Sequence, residues 1–119
     1  MSLGLALLVG VAGGLGSLLR VLVGRAATRV MRGPLAAGTF VVNVSGAFGL
    51  GLLTGLAPST DATLVLGTGL MGGYTTFSTW MYESQRFARG GAPVTAAVNV
   101  VASLVAGLGA VWLGRVVGG

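Results

Sequence analysis

The chain contains no cysteine, no histidine and no lysine, and its only acidic residues, Asp61 and Glu83, lie in different segments. Without thiols or imidazoles it can build no disulfide framework, no Cys/His zinc site, no thiol redox centre and no histidine-based nucleophilic triad. Two distant acids do not make a carboxylate pair for acid–base catalysis. Charge is scarce: charged residues are 8% of the 119, all seven bases are arginine, and the net charge is +5. These arginines sit at or near the ends of apolar stretches, where they meet water and lipid phosphates, so the positive balance is not read as a nucleic-acid surface.

What the chain has instead is apolar length. Hydrophobic residues make up 54% of it, and the mean hydropathy is +0.93. Four apolar stretches of roughly 20 residues are each long enough to cross a hydrocarbon core of about 30 Å. The expected fold is therefore all-α and membrane-integral, a single domain of four transmembrane helices over about 3–24, 35–56, 62–87 and 94–113. Arg25, Arg29, Arg32, Gly33 and Pro34 form the expected turn after the first helix. Ala57-Pro58-Ser59-Thr60-Asp61 precedes the third, with Asp61 as the expected N-cap, and Arg89-Gly90-Gly91-Ala92-Pro93 closes it. No basic residue precedes the first apolar run, so the first helix is expected to be retained, not cleaved as a leader.

Helix association in lipid depends on close backbone approach, for which the sequence offers Gly10-xxx-Gly14, Gly51-xxx-Gly55 and Gly69-xxx-Gly73. No internal repeat is visible, so a symmetric pathway requires a second subunit, and a dimer is expected. The turns after helices one and three carry Arg25, Arg29, Arg32, Arg86 and Arg89, against Arg115 on the opposite side. The positive-inside rule then places both termini outside.

The segment Gly72-Gly73-Tyr74-Thr75-Thr76-Phe77-Ser78-Thr79-Trp80 interrupts an apolar helix with two glycines and four serine or threonine residues, and is expected to break it. In lipid, non-helical backbone is tolerated only where it is buried in protein or lines a polar cavity. Freed carbonyls there can hold a cation, while the half-helix starting near Thr76 turns its positive end towards an anion. Thr39 with Asn43, and Asn99 with Ser103, form i, i+4 polar stripes on helices two and four. Amides and hydroxyls strip water from a small anion without a fixed charge that holds it too tightly. The plainer reading is interhelical hydrogen bonding, worth about 0.6–2 kcal/mol per contact. Phe77 and Trp80, i, i+3, can turn positive ring edges to an anion, or simply pack. Arg20 can snorkel to the interface, and Glu83 can pair with Arg86. The match of Gly67-Thr68-Gly69-Leu70-Met71-Gly72 to a dinucleotide-binding pattern lacks the strand–turn–helix context and follows from glycine abundance.

Gly13-Gly14-Leu15-Gly16-Ser17-Leu18-Leu19-Arg20, Gly38-Thr39-Phe40-Val41-Val42-Asn43-Val44-Ser45-Gly46 and the segment from Gly72 to Glu83 together resemble the Fluc (CrcB) fluoride channels, and the resemblance covers nearly the whole chain. It implies a dual-topology antiparallel dimer in the cell membrane, with two fluoride pores along the subunit interface and a structural, non-transported sodium ion between them. By position, the carbonyls of Gly72 and Thr75 ligate sodium; Asn43 lines the pore and Phe77 gives a ring edge to fluoride. Ser103, Thr39, Ser78 and Thr79 extend the polar track, and Trp80 stands where the family often has a second phenylalanine. The implied work is passive release of cytoplasmic fluoride. The arginine bias implies either a homodimer inserted against its own charge pattern or a heterodimer with an oppositely biased paralogous subunit. The competing reading is a small proton-coupled multidrug exporter, which needs a membrane-embedded carboxylate; Glu83 is the only helical candidate.

Overall fold

The computed structural model describes residues 1–31 and 37–119. Arg32, Gly33, Pro34 and the expected second-helix start at Leu35 lie outside the described residues, as does the side chain of Ser78.

Helix α1 spans Leu3–Val30 and is capped by Ser2, whose Oγ accepts the Leu5 N–H at 3.1 Å. It continues past the expected end at Gly24, so Arg25 and Arg29 are helical. Arginine and alanine are good helix formers, and the Thr28 hydroxyl bonds back to the Gly24 carbonyl at 2.9 Å. A helix of 28 residues is about 42 Å long, more than the hydrocarbon core of about 30 Å, so its arginine-bearing end reaches beyond the membrane interior.

Helix α2 spans Ala37–Leu56 and stops at Ala57, which takes a left-handed conformation (φ 48°) and donates its N–H to the Leu53 carbonyl. The short α3, Thr60–Thr63, is capped by Ser59, whose Oγ accepts the Ala62 N–H at 3.2 Å. Ser59, not the expected Asp61, is the cap: it has the extended backbone required there, and Asp61 falls in the first helical turn, where its charge meets the positive helix end.

The third apolar stretch is not one regular helix. A π-helical segment, Leu64–Met71, runs into a single α-turn, α4 (Gly72–Tyr74). Thr75 (φ −80°, ψ 156°) and Thr76 (φ −144°, ψ 117°) are extended, and α5 begins at Phe77 and runs to Arg89. Gly91, at φ 81°, turns the chain into α6, Pro93–Gly118. Proline at the first helical position loses no bond, since that N–H has no partner in the helix.

Three helices, α1, α2 and α6, are each long and apolar enough to cross a membrane. Leu7, Leu15 and Leu22 on α1 and Val101, Val105 and Leu108 on α6 are exposed, whereas Thr76, Ser84, Asn99 and Ser103 are buried. Apolar outside and polar within is the arrangement a lipid solvent selects, and the chain is a multi-pass membrane protein.

Glycines set the packing. A Cβ on Gly16 would collide with the Leu70 carbonyl oxygen and the Tyr74 nitrogen, and one on Gly73 with the Gly13 carbonyl, so α1 lies backbone to backbone on 64–74. Gly51 against Val111, and Gly114 against Phe48, seat α2 on α6 in the same way. Gly10 and Gly14 meet nothing within 4 Å; the close contact on α1 is made by Gly13 and Gly16, on another face of the helix.

Candidate functional site

The extended step at Thr75–Thr76 would leave polar backbone groups stranded in an apolar bundle, and a side chain from another helix takes them up. Asn43 on α2 accepts the Thr76 N–H on Oδ1 at 2.8 Å and donates from Nδ2 to the Thr76 carbonyl at 2.9 Å. Ser17 on α1 donates to the Gly73 carbonyl at 3.3 Å, and the Tyr74 hydroxyl lies 2.8 Å from Ser45 Oγ. Thr76 also caps α5, its Oγ1 accepting the Thr79 N–H at 3.3 Å.

Two carbonyls lose their donors through this arrangement. In an uninterrupted α-helix the Thr76 N–H closes on Gly72 and the Thr79 N–H on Thr75. Here the first goes to Asn43 and the second to Thr76 Oγ1, so the Gly72 and Thr75 carbonyls are released from helical pairing. They are hard oxygen acceptors of the kind that suits a small cation.

Two cavities flank the step, and Thr76 lines both. The larger, about 700 Å³, is bounded by Arg20, Arg25, Arg29, Thr39, Thr79 and Glu83. The smaller, about 300 Å³, is bounded by Asn43, Thr75, Phe77, Trp80 and Ser103 together with apolar residues of α2 and α6. Thr39 and Asn43 share a helix face yet border different cavities. Ser103 Oγ is buried without a hydrogen-bond partner among the described residues, which leaves a donor at the smaller cavity. Glu83 Oε1 is likewise buried and without a hydrogen-bond partner, at a cavity bounded by three arginines.

Phe77 is 70% exposed, at the edge of the smaller cavity. Its ring meets that of Trp80 edge to face, with centroids 5.8 Å apart and planes at 83°. That geometry directs a positive ring edge at a negative ring face and settles the mutual orientation of the two rings. The Trp80 indole N–H donates to the Asn99 carbonyl at 3.2 Å.

The structure thus brings Asn43, Thr75, Phe77, Trp80 and Ser103 together, and places Arg20, Thr39, Thr79 and Glu83 around the neighbouring cavity. Gly72 borders neither. Asn99, expected beside Ser103 on a polar stripe, is only 2% exposed and is engaged by Ser84, whose Oγ accepts from Asn99 Nδ2 at 2.9 Å. Sequence reading passed over Ser84, and over Arg25 and Arg29 as cavity residues. The i, i+4 spacing of Trp80 and Ser84, and of Arg25 and Arg29, is the signal that was present.

Comparison with known proteins accords with this construction. The family described as "CrcB-like protein, Camphor Resistance (CrcB)" matches residues 7–115. The chain is 50% identical over 103 residues, 87% of its own length and 82% of the relative's, to "Fluoride-specific ion channel FluC 2" of Mycobacterium tuberculosis (strain CDC 1551 / Oshkosh). It is 48% identical over 112 residues, 92% of each chain, to the protein of that name from Mycolicibacterium paratuberculosis. It is 51% identical over 81 residues, 65% of each chain, to "Fluoride-specific ion channel FluC 1" of Streptomyces avermitilis. With its family match covering nearly the whole of a chain whose polar residues gather at one interrupted segment, this protein belongs to the CrcB family.

Proposed function

We infer that this chain forms a fluoride-selective channel that lets cytoplasmic fluoride leave passively. The observation that carries the reading is the smaller cavity: neutral donors from Asn43 and Ser103 beside the aromatic pair Phe77 and Trp80, in an otherwise apolar bundle. Neutral hydrogen-bond donors and positive ring edges replace the hydration shell of a small anion without trapping it. The N-terminal end of α5 adds a favourable dipole beside them. Relatives named as fluoride-specific channels, at about half identity over most of the chain, support the same substrate. Family membership overturns the proton-coupled exporter alternative. A channel makes and breaks no covalent bond, so the protein is read as no enzyme.

Hydrogen fluoride crosses membranes as a neutral acid, ionises in the cytoplasm and is trapped there until a pore releases the anion. An inside-negative potential assists each exiting charge by about 2.3 kcal/mol per 100 mV. The larger cavity, with Arg20, Arg25 and Arg29, raises the local anion concentration at one mouth. Thr79, at the start of α5, adds a hydroxyl at the larger cavity. The membrane in question is the cell membrane, the barrier across which a cytoplasmic toxin must leave.

In this reading the 60–89 stretch is a fourth membrane crossing, and the step at Thr75–Thr76 is a break within it. The complete pore needs a second subunit in the opposite orientation, because the smaller cavity of the single chain is open along the exposed Phe77 side. Arginine clusters on one side favour a heterodimer with an oppositely biased paralogous subunit over a homodimer. The occurrence of relatives numbered FluC 1 and FluC 2 supports that choice. The released carbonyls of Gly72 and Thr75 fit a structural sodium ion shared with the second subunit; such an ion would offset the carbonyl dipoles and join the two copies.

The test is fluoride efflux from liposomes, followed with a fluoride electrode beside a chloride control, for the parent protein and Phe77→Ile. Rapid fluoride-only efflux that is lost in Phe77→Ile is expected. Efflux that appears only on co-expression with a paralogous chain identifies the heterodimer, and chloride efflux equal to fluoride efflux overturns the selectivity.

A further inference from the structure

Trp80 offers the smaller cavity two different things: the carbon-bound edge of its ring, and an indole N–H, a much stronger donor. The structure disposes of the second. The indole N–H donates to the Asn99 carbonyl on α6 at 3.2 Å. The Asn99 side-chain amide donates in turn to Ser84 Oγ at 2.9 Å, and Ser84 Oγ donates to the Trp80 carbonyl at 2.9 Å. The circuit closes on itself: Trp80 ring, Asn99 backbone, Asn99 side chain, Ser84, Trp80 backbone. It is largely shielded, since Asn99 is 2% and Ser84 7% exposed.

We propose that Asn99 and Ser84 are positioning residues for Trp80: their hydrogen-bond circuit withdraws the indole N–H from the pathway, so that this residue meets fluoride through its ring edge and not its nitrogen. The proposal rests on reading the smaller cavity as the fluoride path. An indole carries a single N–H hydrogen, and one given to Asn99 is not available to an ion. Anchoring at the nitrogen also fixes the ring's rotation, which holds it at 83° to Phe77. The consequence suits conduction, because Asn43 and Ser103 already supply donors at this cavity, and a further N–H at the same point would tighten the hold on fluoride. Ser84 serves the circuit from both sides: its one hydroxyl proton goes to the Trp80 carbonyl, and its lone pair receives Asn99.

The experiment uses the full-length channel with Trp112→Phe, a substitution at an exposed α6 position that leaves Trp80 as the single tryptophan. The ¹⁵N-labelled indole resonance of Trp80 is followed during a fluoride titration. It is expected to stay in place in the parent, and to move when Ser84→Ala opens the circuit. A saturable downfield shift with scalar coupling between fluoride and the indole proton makes the nitrogen a fluoride ligand and overturns the proposal. Efflux supplies the second arm. Ser84→Ala is expected to slow fluoride efflux about tenfold when Trp80 is present and much less in the Trp80→Phe background, with Ser84→Thr restoring the rate. Equal losses in both backgrounds mean that Ser84 merely holds α5 on α6, which also overturns the proposal. A parent that conducts no fluoride, alone or co-expressed with a paralogous chain, fails the pathway reading, while the resonance still decides whether the nitrogen is locked.

Discussion

Both ends of the Asn43 side-chain amide are bonded to the backbone of one residue, Thr76, at 2.8 and 2.9 Å. The side chain therefore does for an extended peptide what a neighbouring strand does in a sheet: it takes the N–H and returns an N–H of its own to the carbonyl. The second hydrogen of the same amide nitrogen is left over at the smaller cavity, which Asn43 also lines.

Replacing Asn43 with leucine keeps the volume and removes both bonds. Two backbone groups of Thr76 then lose their partners, at a cost of about 1–3 kcal/mol each if they stay dry. Asn43→Leu is expected to lower the unfolding temperature in detergent and to abolish fluoride efflux. A variant that keeps the parent's stability would show that Thr76 finds other partners and that the amide is not the brace.

The glycine contacts on α1 make a paired prediction. Gly16→Ala places a methyl group against the Leu70 carbonyl and the Tyr74 nitrogen, and forcing the helices apart is expected to cost about 1–3 kcal/mol. Gly10→Ala meets nothing within 4 Å of the single chain and is expected to be neutral or slightly stabilising. Thermal unfolding of both variants distinguishes them; a large loss at Gly10 would instead place it against the second subunit.

Arg25 and Arg29 stand i, i+4 on α1 beside the larger cavity, and both are exposed. If they gather anions by their field, the Arg25→Gln, Arg29→Gln double variant slows initial efflux several-fold at low ionic strength. The difference should shrink as an impermeant salt brings the screening length from about 30 Å at 0.01 M to about 8 Å at 0.15 M. Initial rates across a salt series measure this, and a deficit independent of salt would assign the arginines a structural role.

Much of this protein can be read from its chain alone, because the lipid solvent imposes strict terms on sequence. Long apolar runs, the arginine placement, and the absence of cysteine and histidine settle the helical membrane class and remove most enzyme chemistries before any coordinates are seen. The motifs around Gly13, Asn43 and Gly72 carried the family resemblance, and the density of glycine and hydroxyl residues singled out 72–80, where Thr75 and Thr76 lie extended. Local rules ended the third helix at about 87, two residues short of the Arg89 end of α5, and started its second half near Thr76, the residue that caps it. They failed at the end of α1, where charge read as a stop is tolerated by a helix that has already left the hydrocarbon.

Tertiary structure decided the partners. That Asn43 spends its amide on a residue 33 positions away, and that Asn99 serves Ser84 and Trp80 instead of sharing a free stripe with Ser103, depends on how α2, α5 and α6 are seated. Periodicity tells which residues share a face of one helix, but not which groups across the bundle compete for them. In a membrane interior every stranded N–H and carbonyl must find such a group, so the packing, and not the spacing, determines which polar side chains hold the fold together and which remain free to meet an ion.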